Sequence, residues 1–353
     1  MEHLLINEKT MGNLKGKDYI ETQDLSQDEL ELLLHTATGL KEKFHRGIPT
    51  LLLPHQTAFL LFFDKSTRTR NAFEAGMTQL GGHAHFLDAD ATQISHGETP
   101  EDTGRILAAM GHGICVRHDL VLNEGNAYMR RMATAANVPV INMQCDVDHP
   151  TQTLADLLTI REKFGSNLRG LKIAVSWAYA PSYAKPLSVP QGLITLMTRF
   201  GMHVTLAHPP GYKLIDRTVE AARENAAASG GRFEIVDDMD AAFEDADIVY
   251  PKSWGVYELM LARQQAKTKD EVAENQRACL AENAKHKHWI CDERRMKLAK
   301  PSAVYMHCLP ADRGHEVTDA VIDGPQSIVF QEAENRLHTA KAIMACTMRE
   351  RPF

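Results

Sequence analysis

The chain has 353 residues, 44% hydrophobic and 24% charged; that is enough to bury two cores and excludes disordered, collagen-like and disulfide-dense classes. Its 39 basic and 46 acidic residues leave a formal net charge of -7 and a pI near 6.2, so no global positive field attracts nucleic acid and any anion must be held by a local cluster. The cysteines, Cys115, Cys145, Cys279, Cys291, Cys308 and Cys346, form no C-x-x-C pair and read as reduced thiols of a cytoplasmic protein. The N-terminus lacks a signal-peptide pattern, and the longest apolar run, Ala58 to Phe63, is too short for a bilayer, so no membrane association is expected.

Short apolar runs alternate with amphipathic stretches, which predicts an α/β chain with two doubly wound domains and parallel sheets. Ser26 and Glu29 read as the capping box of a first helix. A strand (58–63), a helix (67–80), a helix (100–110), strands at 113–116 and 138–142 and a helix (151–164) follow, ending at the turn Gly165-Ser-Asn-Leu-Arg-Gly170. The second series runs through a strand (172–177), a helix (189–200) and strands at 203–207, 233–236, 248–250 and 303–307. The last helix, from Glu332 to about Met348, places Ala333, Leu337, Ala340 and Met344 on one face. The expected domains are therefore 1–164 and 165–331, with 332–353 a helix that returns to the first domain.

Three segments carry candidate chemistry. In Phe63-Asp-Lys-Ser-Thr-Arg-Thr-Arg70 a strand gives way to a helix with Ser66 as the expected N-cap. Free backbone N–H groups, the hydroxyls of Ser66, Thr67 and Thr69, and Arg68 make either a phosphate cradle or a merely capped helix with surface arginines. Arg70 lies roughly 200° around the helix from Arg68 and reads as an ion-pair residue. In His149-Pro-Thr-Gln152, the imidazole can donate to a polarised carbonyl oxygen and the amide can donate and accept, although a lone histidine before proline is usually a loop residue. In Met306-His-Cys-Leu-Pro310, at a strand end where ligands of open sheets bind, alternation puts neighbours on opposite faces, so Cys308 reads as a binding residue rather than a nucleophile. The histidines, including His83, His85, His96, His112, His118, His286 and His288, show no metal-ligand spacing, and no metal is expected.

Together, Ser66-Thr-Arg-Thr-Arg70, His149-Pro-Thr-Gln152 and His307-Cys-Leu-Pro310, in this order, resemble the aspartate/ornithine carbamoyltransferase family over nearly the whole chain, to Glu334-Asn-Arg336. The resemblance implies a homotrimer with shared active sites, no cofactor, a first domain for carbamoyl phosphate and a second for an amine-bearing substrate. It places Ser66, Thr67, Arg68 and Thr69 on the phosphate, Arg117 between phosphate and carbonyl oxygen, and His149 on that oxygen. Gln152, the Leu309 carbonyl and Arg336 would orient the carbamoyl amide, and Gln93 would reach into a neighbouring subunit's site. Arg68, Thr69, Arg117, His149 and Cys308 are the implied catalytic residues; Cys308, with Lys252, Ser253 and Trp254, also faces the second substrate.

The acceptor differs from ornithine in this reading, because Asp247-Ile-Val-Tyr-Pro-Lys-Ser-Trp-Gly255 lacks the Ser-Met-Gly loop of ornithine enzymes. Tyr250-Pro-Lys-Ser-Trp254 and Tyr179-Ala-Pro-Ser-Tyr-Ala-Lys-Pro-Leu-Ser-Val-Pro190 resemble instead the N-acetylornithine and N-succinylornithine enzymes, whose proline-rich loop is threaded into a trefoil knot. Two positions depart from that subgroup, Cys145 replacing a glutamate and Glu316 a lysine. The nearest resemblance is thus to the knotted transcarbamylases of unassigned acceptor. The competing readings are an N-acyl-ornithine carbamoyltransferase and a non-catalytic carbamoyl phosphate-binding scaffold.

Overall fold

The computed structural model describes residues 14–183, 185–266 and 268–348. The chain divides into two compact units: one holds the residues up to Asp119, Asn123–Leu158 and those from Ala333 on; the other holds Leu120–Leu122 and Thr159–Glu332. Each has its own all-parallel sheet, the α/β class that the alternation predicts.

The first unit begins with α1 (Gln27–His45), where the Ser26 and Glu29 capping box is formed. It continues through β1 (Thr57–Phe62), α2 (Arg68–Gln79), β2 (His83–Asp88), α3 (Pro100–Met110), β3 (Gly113–His118), α4 (Gly125–Ala135), β4 (Val140–Cys145) and the opening turns of α5 (Pro150–Phe164). The strand order is β2-β1-β3-β4, so the winding reverses between β1 and β3, and the crevice beyond their carboxyl ends is where such sheets bind ligands. Phe62 pairs with Arg117 in this register. A bulge shifts the β3 to β4 pairing between Val116 and Arg117, the kind of irregularity that re-aims a side chain at a sheet end.

The second unit contains β5 (Lys172–Trp177), α6 (Ser188–Arg199), β6 (His203–Ala207), α7 (Asp216–Ser229), β7 (Arg232–Val236), α8 (Met239–Phe243), β8 (Ile248–Lys252), α9 (Tyr257–Gln265), α10 (Lys269–Asn283), α11 (Glu293–Met296), β9 (Val304–Tyr305), α12 (Asp319–Ile322) and the start of α13 (Val329–Thr347). Its order is β7-β6-β5-β8-β9, with the reversal between β5 and β8. Its central elements are deeply enclosed: every residue of β8, Lys252 included, is buried, as is nearly all of α6.

Three expectations need correction. The strand expected at 303–307 ends at Tyr305, so His307 and Cys308 lie in a loop and strand alternation says nothing about where they point. The edge strand β2 was not expected: its exposed histidines and lack of β-branched residues hide the strand pattern. The last helix is not buried along one apolar stripe. Ala333 and Leu337 are half-buried, whereas Asn335, Arg336, His338 and Thr339 are buried, because the helix is enclosed on several sides within the first unit. A Cβ on Gly76 of α2 would stand 3.1 Å from Lys341 Cγ and 3.2 Å from Met344 Cε, and the Thr339 hydroxyl donates to the Thr151 carbonyl at 3.4 Å.

Candidate active site

In the first unit, the Thr69 hydroxyl is where two elements distant in sequence meet. Arg336 Nη2, from α13, donates to Thr69 Oγ1 at 2.7 Å, and Arg117 Nη1, from the end of β3, lies 3.5 Å from the same oxygen and 3.2 Å from Ser66 Oγ. Arg336 Nη1 also donates to Gln152 Oε1, whose Nε2 donates to Asp156 Oδ1 at 2.7 Å. Thr69, His149, Gln152 and Arg336 are buried, Ser66 and Arg68 half-buried and Thr67 exposed.

Ser66 is not the helix cap. The N-cap is Thr67, which has αR backbone angles and no capping side-chain bond; the Ser66 hydroxyl instead accepts from Arg117. The first-turn amides of α2 therefore keep their donor capacity at the positive end of the helix. Arg70 turns away, pairing with Glu74 at 2.9 Å and lying 3.7 Å over the Phe86 ring, as the angular argument expects.

Burial holds the His149 imidazole well below its ordinary pKa, and Arg336, Arg117 and Arg68 add to the shift. It is therefore neutral at physiological pH. Its Nδ1 lies 3.3 Å from the Thr151 hydroxyl. Asp119, which sequence reasoning missed, is fully buried and grips Arg117 through two bonds; its place two residues after the arginine was the only available signal. Gln93 sits on an exposed 3-10 turn with Oε1 3.2 Å from His96 Nδ1.

The second unit carries the remaining candidates. Lys252, Ser253, Trp254 and Cys308 are buried at the carboxyl ends of β8 and β9, and Leu309 is half-buried with φ 54° before a cis proline. Lys252 Nζ donates to the Ser253 carbonyl at 2.8 Å; burial lowers its pKa, and the neighbouring Lys185 adds to the effect. Glu316 is the hub. It accepts from the backbone N–H of Ser253 and of Asp312, each at 2.7 Å, and from Lys185 Nζ at 3.2 Å, with His307 Nε2 3.5 Å away. Burial alone would raise the Glu316 carboxyl, but His307, Lys252 and Lys185 hold it well below the usual range. Lys185 and Asp312 went unnoticed in the sequence because nothing in their local spacing marks them.

Residues 17–162 match the carbamoyl-P binding domain of aspartate/ornithine carbamoyltransferases, and residues 186–347 match the Asp/Orn binding domain of the same enzymes. The YgeW protein of Escherichia coli (strain K12) is 43% identical over 97% of this chain and 92% of its own length. An ornithine carbamoyltransferase of Thermococcus kodakarensis is 38% identical over 95% and 98%. Among solved structures, acetylornithine transcarbamylase complexed with acetylcitrulline matches with a TM-score of 0.84 at 34% identity, covering 95% of this chain and 100% of that one. The ornithine carbamoyltransferase from Pyrococcus furiosus matches with a TM-score of 0.80 at 36% identity, covering 95% and 98%. The chain belongs to the aspartate/ornithine carbamoyltransferase family.

Proposed function

We propose that this carbamoyltransferase moves the carbamoyl group between carbamoyl phosphate and the nitrogen of a small acceptor other than ornithine or aspartate. The observation that carries this reading is the meeting of Arg117 and Arg336 at the Thr69 hydroxyl, at the winding reversal of the first sheet. Two guanidinium groups, a helix start and hydroxyls suit a small dianion.

In this reading Ser66, Thr67, Arg68 and Thr69 hold the phosphate, and Arg117 bridges it to the carbonyl oxygen. His149 acts as the tautomer with its proton on Nε2, which donates a hydrogen bond to that oxygen, while Nδ1 lies 3.3 Å from the Thr151 hydroxyl. Gln152, the Leu309 carbonyl and Arg336 orient the amide. An unprotonated amine attacks the carbamoyl carbon, a tetrahedral oxyanion forms, and the bond to the phosphate oxygen breaks as the amine's surplus proton passes to the leaving phosphate. Positioned positive charge stabilises both the oxyanion and the leaving phosphate, without a covalent nucleophile or a cofactor.

Lys252, Ser253, Trp254 and Cys308 form the acceptor side, Lys252 as partner for a carboxylate. The first unit is the carbamoyl phosphate domain, the second the acceptor domain, and Gln93 serves a neighbouring site in a homotrimer. The proposed trefoil knot, formed as the 179–190 loop is threaded by 250–254, is supported by Gly255 N donating to the Lys185 carbonyl at 3.1 Å and Trp177 Nε1 donating to the Trp254 carbonyl at 2.9 Å; an experimental chain trace that pulls straight from both ends would refute it. A cytoplasmic location is supported by six buried free cysteines; among the described residues no helix is long and apolar enough to cross a membrane.

The similarity to acetylornithine transcarbamylase favours N-acyl-ornithine as a second reading. Incubation with labelled carbamoyl phosphate and a panel of amines, amino acids, N-acyl-ornithines and ureido compounds, followed by product mass, decides between them. Calorimetric binding of carbamoyl phosphate without transfer to any acceptor would replace both with a binding scaffold.

A further inference from the structure

Away from the residues discussed so far, His45 in the last turn of α1 faces Glu334 and His338, which stand one turn apart on α13 and so share one face of that helix. The ligand atoms of the three lie within 4.8 Å of one another. Glu334 Oε1 is 2.5 Å from His45 Nε2 and 3.5 Å from His338 Nε2. All three belong to the first unit.

Two imidazole nitrogens and one carboxylate oxygen form a donor set suited to zinc-class cations rather than to magnesium or calcium, which prefer oxygen. His338 supplies the second observation. Its side chain is fully enclosed, tilted against Phe44 with centroids 5.4 Å apart, and its Nδ1 has no hydrogen-bond partner among the described residues. A buried imidazole whose Nε2 is only loosely placed, 3.5 Å from a carboxylate oxygen, calls for an explanation, and a cation bound at that nitrogen supplies one.

We propose that His45, Glu334 and His338 form a site for a zinc-class divalent cation that clips α13 to α1. With bonds of about 2.0–2.2 Å to a tetrahedral ion, His45 Nε2 and Glu334 Oε1 would move apart from their 2.5 Å contact to admit it. His45 and Glu334 have side chains 53% and 38% exposed and can move, while enclosed His338 acts as the fixed ligand. The neighbouring cations limit affinity. Lys41 Nζ is bonded to Asn335 Oδ1 at 2.8 Å, and Lys341 lies over the Phe44 ring with its Nζ on Gln79. The expected dissociation constant is therefore micromolar, far weaker than a structural zinc site. Arg336 lies two positions from both Glu334 and His338, on the opposite side of the helix, so the clip does not occupy the candidate substrate site.

The test uses the untagged full chain, stripped of metal, titrated with zinc against a chromophoric chelator and with cobalt in the visible range. One equivalent per chain, cobalt bands of tetrahedral intensity and a raised melting temperature are expected, with no response to magnesium. His45→Gln and Glu334→Gln, chosen because both side chains are partly exposed, should each weaken zinc binding roughly tenfold or more while leaving the metal-free melting temperature unchanged. Failure of the wild type to bind, or one-equivalent binding that persists in the double variant, overturns the proposal. Neither outcome bears on carbamoyl transfer.

Discussion

Asp119 holds Arg117 in a two-bond grip, Oδ1 accepting from Nε at 3.2 Å and Oδ2 from Nη2 at 3.0 Å. The grip consumes one edge of the guanidinium and leaves Nη1 for Ser66 and Thr69. Asp119 is fully buried and the Arg117 side chain 15% exposed, so the pair fixes the fork rather than decorating a surface. Asp119→Ala should raise the KM for carbamoyl phosphate and lower kcat/KM by about 10-fold to 10²-fold, less than outright loss of a donor, and destabilise the fold by about 3 kcal/mol. Steady-state kinetics alongside urea unfolding check both. An unchanged KM in a folded variant would show that Arg117 orients itself.

Arg68→Ala and His149→Ala should abolish measurable turnover while circular dichroism and melting remain close to wild type. Loss of a single oxyanion donor costs about 10²–10³ in rate, and in the proposed reading these residues serve phosphate and carbonyl oxygen together. Either variant retaining near wild-type turnover would overturn the site assignment.

Glu316 uses both carboxylate oxygens on backbone N–H groups, those of Ser253 and Asp312. Glutamine supplies only one acceptor oxygen and no charge for Lys185 and Lys252. Glu316→Gln should therefore cost about 3–5 kcal/mol, read as a lowered denaturation midpoint. Glu316→Lys, which would install the residue that the N-acyl-ornithine pattern calls for, adds a third ammonium to this buried cluster. Loss of soluble protein is expected rather than a change of acceptor; soluble Glu316→Lys enzyme that carbamoylates N-acetylornithine would show the cluster to be adaptable.

His118 stacks on Phe63 at 4.3 Å, and burial lowers its pKa to about 4. An unfolded histidine titrates near 6.5, so between these values the unfolded state binds the extra proton. The stability this neutral residue contributes is complete above about pH 6.5 and is lost as pH falls towards 4, by up to about 1.4 kcal/mol per pH unit. Asp148, which burial raises to about 7, acts in the opposite sense, so the comparison must be between wild type and His118→Phe. The stability gap between these two proteins should change between pH 7.5 and 5.0 in urea melts; a constant gap would refute the assignment.

Regular elements with strong apolar periodicity were readable: β5 and β6, α3 and the Ser26 cap all fall where the pattern places them. Runs of buried apolar residues have few alternatives in an α/β chain. What escaped was set by tertiary position. β2 is an edge strand with histidines on its surface, and Thr67 rather than Ser66 stands at the N-cap position of α2, while the Ser66 hydroxyl is engaged by Arg117, far away in sequence. The first-unit motif residues Ser66, Thr69, Gln152 and Arg336 form one bonded group with Arg117, but Asp119, Lys185 and Asp312 became visible only through their distances. A partner's partner leaves no periodicity behind.

The first unit is discontinuous: it takes in Asn123–Leu158 and then waits for Ala333 and beyond, while the second is almost wholly the continuous block Thr159–Glu332. A ribosome therefore finishes the second unit before the first can close. Until α13 emerges, Thr69 and Gln152 lack Arg336, so the nascent chain holds a completed rear half and an open front half. The Arg336 that completes the proposed anion cradle is translated only after the whole second unit, and loss of α13 by premature termination or proteolysis would remove its contact with Thr69 while sparing the second sheet.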